Sequence, residues 1–251
     1  MSGDVALLAV LFFGAATLYS SVGHAGASGY LAAMALIGMA PDAMRPTALV
    51  LNILVASLAT QRFARAGHFA WPVFLPLVAG SVPLAFVGGA LVLPGRVYKV
   101  AVGVMLLLGA VQLWRTARRA NGAGTDGTTQ RVPVAAAVAC GAVIGLLAGL
   151  TGTGGGIFLS PILLALGWCD MRKTAGVSAA FILANSIAGL LGTGVHLEAL
   201  PEATSLAVWA LAVGAGGVLG SNLGSKRLGV HVLRRLLAVV LVVAASKLIL
   251  T

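Results

Sequence analysis

Long apolar runs separated by short polar clusters dominate the chain. Five fill the first half, approximately Val5 to Val22, Ser28 to Ala40, Ala43 to Thr60, Ala70 to Leu93 and Val97 to Trp114. Five more fill the second, approximately Val132 to Leu150, Ile157 to Trp168, Thr174 to Gly194, Leu206 to Leu223 and Val230 to Leu250. Runs of this length predict helices that lie in lipid. Hydrophobicity lapses at length only between Arg115 and Arg131, where Arg118, Arg119, Asn121, Gly122, Gly124, Asp126 and Gly127 stand. The chain therefore divides into a first membrane repeat over residues 1–114, a linker over 115–131 and a second membrane repeat over 132–251.

The halves resemble each other. Gly23, Gly26 and Gly38 fall 129 residues before Gly152, Gly155 and Gly167; Pro72 precedes Pro201 by 129, and Arg45 precedes Lys173 by 128. Order, spacing and residue type agree together, which favours duplication over a chance match of composition. The second segment of each half is short. At about 1.5 Å per residue, Ser28 to Ala40 and Ile157 to Trp168 cover only about two thirds of a hydrocarbon core of about 30 Å. The glycine-rich stretches before them, Gly23 to Gly29 and Gly152 to Gly156, should then lie within the membrane, where irregular backbone is tolerated only if it lines a cavity or is buried in protein. The first two segments of each half either cross as a broken pair or form a re-entrant hairpin.

Composition narrows the class. Hydrophobic residues make up 59% and charged residues 9% of 251 positions, with only six Asp and Glu, and the mean hydropathy is +1.04. A soluble fold of this size needs far more charge on its surface, so a water-soluble enzyme is excluded. The net charge of +10 sits in short clusters between apolar segments, the pattern of cytoplasmic loops and not of a nucleic-acid surface. Cys140 and Cys169 have no CxxC spacing and read as small core residues. Met1 to Asp4 carry no basic region before the first run, so that run is expected to remain in the mature protein.

Lys and Arg set the orientation. Arg115, Arg118, Arg119 and Arg131 place the linker in the cytoplasm; counting outward from it puts Arg62, Arg65, Arg172, Lys173, Lys226 and Arg227 on the same side. The Val195 to Ala203 loop, with Glu198 and Glu202 and no basic residue, then faces outward, and Arg45, Arg96 and Lys99 are exceptions on that outer side. An odd number of crossings per half turns the second repeat upside down. The expectation is an all-α integral membrane protein of two inverted repeats, about five transmembrane segments each, with broken or re-entrant helices and glycine-rich loops at the midplane.

Such repeats are how many secondary carriers build a site that opens alternately to each side. Gly154, Gly155 and Gly156 immediately precede a helix, so free N–H groups and a positive dipole end would point into the cavity, an arrangement suited to an anion. Most of the 34 glycines are better explained by close helix packing; the two clusters, with Gly23 and Gly26 in the first and Gly152 to Gly156 in the second, coincide with the short segments. His24 could donate to an anion and, protonated, add charge, although a neutral histidine bonded to backbone is the bland rival. Ser28 and Thr153 are the favoured hydroxyls among Ser20, Ser21, Ser28, Thr151 and Thr153. Asn52 and Asn185 bring amides into the third segment of each half, where the alternative is helix-to-helix bonding. All six carboxylates fall at segment ends or in loops, against a metal-ion or sodium carrier. An anion leaving a cell is driven by about 2.3 kcal/mol per charge per 100 mV, so export needs no coupled ion, whereas import does. If protons are coupled, His24 is the candidate, then Asp42 and Asp170. No nucleophile–base pair, metal-ligand cluster or nucleotide-loop lysine stands out, so no catalysis, cofactor or metal is expected.

Gly152-Thr153-Gly154-Gly155-Gly156-Ile157-Phe158-Leu159-Ser160-Pro161, with Gly167 and Arg172-Lys173 before Thr174-Ala175-Gly176-Val177-Ser178, resembles the sulfite exporter TauE/SafE family of bacterial membrane permeases. The likeness covers nearly the whole chain. It implies a multi-pass protein of the bacterial inner membrane that moves sulfur-containing anions, sulfite or sulfonates. The first half departs from the family's glycine triplet, reading Gly23-His24-Ala25-Gly26-Ala27-Ser28-Gly29-Tyr30, which leaves the anion open. A passive anion channel and a non-transporting membrane scaffold are the rival readings. The small-residue faces would serve packing within one chain or in a homodimer.

Overall fold

The computed structural model describes residues 3–21, 26–119, 132–194, 200–224 and 230–250. Among them are ten helices: α1 (Gly3–Ser21), α2 (Ala27–Ile37), α3 (Pro41–Arg65), α4 (Trp71–Ala90), α5 (Gly95–Arg119), α6 (Val134–Thr151), α7 (Gly156–Ala165), α8 (Met171–Thr193), α9 (Ala203–Gly224) and α10 (Val230–Leu250). Each corresponds to one of the ten apolar runs. Seven are long and apolar enough to cross a membrane, while α2 and α7, with 11 and 10 residues, reach about 15 Å, half of a hydrocarbon core. Gly23, His24, most of the linker (120–131), Glu198, Lys226 and Arg227 lie outside the described residues.

Polarity is distributed inside out. Leu211, Val92, Val10, Leu191 and Val143 are exposed on the surface, whereas Thr47, Asn52, Ser81, Thr151, Ser178, Asn185 and Ser186 are buried. That is the distribution expected when the surrounding solvent is hydrocarbon. Glycines let the helices touch through their backbones. In α4 and α6 a side chain at Gly80, Gly141, Gly145 or Gly149 would meet a carbonyl of the partner helix, and in α9 one at Gly216 or Gly220 would meet those of Phe13 and Thr17 on α1. Both pairs run parallel. Packing of this kind is driven by close fit, since lipid removes the hydrophobic drive between helices.

The most extensive pairings, apart from that of α4 on α8, keep their form when the halves are exchanged. α4 on α6 is answered by α9 on α1, and α3 pairs with α8 and α5 with α10, each with its own counterpart. The last two pairs run antiparallel: Gly176 meets Phe63 and Gly189 meets Leu49 across α3 and α8, and Gly103 meets Ile249 and Gly109 meets Leu241 across α5 and α10.

The two short helices are built alike, bond for bond. Gly26 starts α2 with φ 86° and Gly155 starts α7 with φ 80°. The Gly26 carbonyl accepts from Gly29 and Tyr30, and the Gly155 carbonyl from Phe158 and Leu159. At the far ends Gly38 and Gly167, both left-handed, carry the Schellman pattern: Met39 N–H reaches the Met34 carbonyl at 3.0 Å, and Trp168 N–H the Leu163 carbonyl at 3.0 Å. The shared offset of 129 residues in the sequence is therefore an offset in backbone geometry as well.

Candidate functional site

The site grows from the end of α6. Thr151 closes that helix by donating to the Leu147 carbonyl at 2.7 Å and sharing a 3.0 Å bond with the Thr153 hydroxyl. Gly152, Gly154 and Gly155 follow, with φ of 81°, 71° and 80°. Three left-handed residues within four positions reverse the chain in a space where any other residue would be strained. α7 then runs antiparallel to α8, with Gly156 against Ile182 and Ser160 bonded to Ser178 at 2.9 Å. Phe158 and Leu159 N–H close on the Gly155 carbonyl, while those of Gly156 and Ile157 have no backbone acceptor among the described residues. They are the free donors that a helix start leaves, carrying the positive end of its dipole.

Opposite this turn stands the start of α2. Gly26 and Ser28 line one narrow cavity with Thr153, Ile157, Ile182 and Tyr19. The two hydroxyls favoured from sequence thus meet at one place, one from each half. The Ser28 hydroxyl shares a 2.6 Å bond with the Tyr19 phenol, and Tyr19 is buried. The cavity measures about 10 Å³, about what one water needs, so this conformation has no room for a sulfur anion. A much larger depression of about 500 Å³ between α4 and α8 is lined by Val82, Pro83, Phe86, Val87, Ile187 and Leu191. Its apolar walls would leave an anion without partners, so it does not suit one.

Behind the glycine turn the polarity is unsatisfied. Asn52 and Ser186 are fully buried; the Asn52 amide donates to the Gly152 carbonyl only across 3.5 Å, and its Oδ1 and the Ser186 hydroxyl have no partner among the described residues. Both crowd Gly154: a side chain there would begin 3.1 Å from Asn52 Nδ2 and 3.3 Å from Ser186 Oγ. Asn185 is equally buried and both its amide atoms are without partners, yet it does not line the cavity. Unpartnered buried polar atoms are costly and uncommon; those of Asn52 and Ser186 belong to the two polar residues packed on the Gly154 turn, while others, on Thr47, Ser81, Thr174 and Asn185 among them, lie elsewhere.

Of the residues expected from sequence, Gly26, Ser28 and Thr153 line the cavity, Gly152 and Gly154 to Gly156 flank Thr153 in the turn without lining it, Asn52 packs on Gly154, Asn185 does not line the cavity, and Gly23 and His24 are outside the described residues. Sequence reading missed Tyr19, Ile182 and Ser186. The signal available was the spacing of Ser178, Ile182 and Ser186 four apart in α8, which puts them on one helix face. Arg45 also belongs to the surroundings: its guanidinium donates to the Gly89 and Leu91 carbonyls at 2.9 Å each, and its stem packs on Gly152. A basic residue in this role ties off the end of α4, which explains why it stands on the side where few basic residues were expected. Among the described residues no group of three His, Cys, Asp or Glu side chains could hold a metal ion.

The comparisons with known proteins point the same way. Residues 7–248 match the family model described as Sulfite exporter TauE/SafE. The chain is 41% identical over 242 residues, 96% of its own length and 97% of the relative's, to the "Probable membrane transporter protein y4hK" of Sinorhizobium fredii. No solved structure matches it. With nearly all of its residues inside the family model, the chain belongs to the sulfite exporter TauE/SafE family of membrane proteins.

Proposed function

We propose that this multi-pass protein of the bacterial inner membrane is a secondary carrier that moves a sulfur-containing anion, sulfite or a sulfonate, by alternating access. The observation that carries the reading is the start of α7, where Ile157, whose N–H has no backbone acceptor among the described residues, lines one cavity with Ser28 and Thr153. Such donors suit an oxyanion and need no charged side chain. The anion site itself is the set Gly26, Ser28, Asn52 and Gly152 to Gly156, with Gly23 and His24 completing it from the first half and Asn185 as its outlying member.

Alternating access is supported by two features. The cavity is too small for the anion in this conformation, so loading needs a movement of the parts around it. Equivalent helices of the halves 1–114 and 132–251 run in opposite directions, α3 against α8 and α5 against α10, as inverted repeats require. Exchange of the two halves' conformations would turn a site open to one side into one open to the other. His24 is the proposed proton-coupling group, followed by Asp42 and Asp170, and an imposed pH gradient that leaves the rate unchanged would remove that role.

The experiment is uptake of radiolabelled sulfite into proteoliposomes loaded with unlabelled sulfite or a sulfonate. A carrier gives saturable uptake accelerated by anion on the far side. A passive channel gives flux without saturation or exchange, and a scaffold gives none. Thr153→Ala should lower uptake sharply while the protein remains expressed.

A further inference from the structure

Ile182 stands between the narrow cavity and the Gly154 turn. On one side it lines the cavity with Tyr19, Ser28, Thr153 and Ile157. On the other its Cγ2 lies 2.8 Å from where a Gly154 side chain would begin, in the same small space as Asn52 Nδ2 and Ser186 Oγ. Its Cγ1 lies 2.6 Å from the corresponding point on Gly156. The helix face it shares reads Ser178, Ile182, Ser186, polar above and below. Ser178 is engaged with Ser160, but Ser186 is buried with no partner among the described residues. One aliphatic side chain therefore separates a cavity too small for a sulfur anion from the Ser186 hydroxyl, which has no partner among the described residues, and the Asn52 amide, whose bond to the Gly152 carbonyl is 3.5 Å long.

From this geometry we propose that Asn52 and Ser186 form a second polar subsite of the anion site, which takes an oxygen of a sulfonate-type head, and that Ile182 is the partition whose size sets which anions fit. The inference rests on the carrier reading. A pyramidal –SO₃ head offers three acceptor oxygens. The N–H groups at the start of α7 and the hydroxyls of Ser28 and Thr153 answer part of that demand; the Asn52 Nδ2, which carries two hydrogens and spends one on a long bond to the Gly152 carbonyl, and the unpartnered Ser186 hydroxyl, both neutral donors, answer the rest. Occupation would give the Ser186 hydroxyl the acceptor it lacks and the Asn52 Nδ2 a closer acceptor than the Gly152 carbonyl at 3.5 Å; Asn52 Oδ1, itself an acceptor, must face away from the anion. Ile182 is β-branched and on a helix, so its first torsion is nearly fixed. The partition opens when α8 moves away from the glycine turn, and anion entry is tied to separation of α7 from α8.

The test uses the full chain in proteoliposomes and compares sulfite with ethanesulfonate, which carries the same head on a longer body. Ile182→Ala should raise the ethanesulfonate-to-sulfite ratio of kcat/KM by about tenfold or more, the discrimination that a few methylenes give in an apolar wall. Ile182→Val should shift it in the same direction by a few-fold, and serves if the alanine protein fails to fold. Ser186→Ala should lower sulfite affinity by about tenfold while raising the melting temperature, because it deletes a buried group without a partner; a merely structural serine would lower the melting temperature. A ratio within about twofold of wild type in both Ile182 variants, or wild-type sulfite affinity in Ser186→Ala, overturns the subsite and leaves the carrier standing. A wild type that takes up neither anion overturns the carrier reading and the subsite with it.

Discussion

At Gly155 backbone and packing set the same limit. Its φ of 80° strains any L side chain, and a Cβ there would begin 2.7 Å from Ile144 Cγ2 and 3.1 Å from the Phe181 ring. Strain of about 1–2 kcal/mol adds to the cost of displacing two packed side chains, so Gly155→Ala should destabilise by about 2–3 kcal/mol. Thermal unfolding in detergent would measure it, and an unchanged midpoint would contradict the left-handed turn. Cys169 gives a second prediction at this scale. It is 5% exposed, and burial, with Asp170 beside it, pushes its thiol up to about 11. At pH 7 only about one thiol in ten thousand is then ionised, and thiolate is the reactive form. In a Cys140→Ala background, a maleimide should leave the native protein unmodified and label it once unfolded; rapid native labelling would count against this burial.

Helix ends are where the elements are fixed, and they were unevenly legible. The Asp170 carboxylate accepts from Lys173 N–H at 2.8 Å and so caps α8. Its ion pair with the Lys173 ammonium, 3.7 Å and exposed, adds little. The backbone bond holds the Asp170 carboxyl below its ordinary 3.8. A lowered folded value means that the contribution is complete above about pH 4 and disappears as pH falls through that value. Asp170→Ala should cost about 1 kcal/mol at pH 7 and progressively less in acid; a difference that is constant from pH 7 to pH 3 would sink the cap. Apolar runs located all ten helices because lipid solvent demands continuous hydrophobicity, and glycine spacing located α2 and α7 because only glycine closes those ends cheaply. The partner of Ser28 was not legible. Tyr19 lies inside an apolar run whose periodicity is that of any membrane helix, and only the packing of α1 on α2 brings its phenol to the cavity. Ile182 escaped for a similar reason: an isoleucine in a membrane helix carries no chemical signal until its neighbours are known.

Across the whole molecule, the helix pairings bear on the proposed alternating access more than any one residue does. α4 runs parallel to α6 and α9 parallel to α1, so the first helix of each half is clasped by the fourth of the other. A rocking movement would pass along the antiparallel α3–α8 pair, where Asn52 and Ser186 face the turn, and would exchange the roles of the halves. This requires the linker and the loop before α9 to lie on opposite faces of the membrane, since α6 and α8 leave the linker side and α9 returns to it. With Cys140 and Cys169 replaced by Ala, Glu202→Cys should react with an impermeant maleimide added to intact spheroplasts, whereas Thr128→Cys should react only after the membrane is opened. Labelling of both from the same side would break the inverted arrangement and, with it, the route by which a single buried site could face each side in turn.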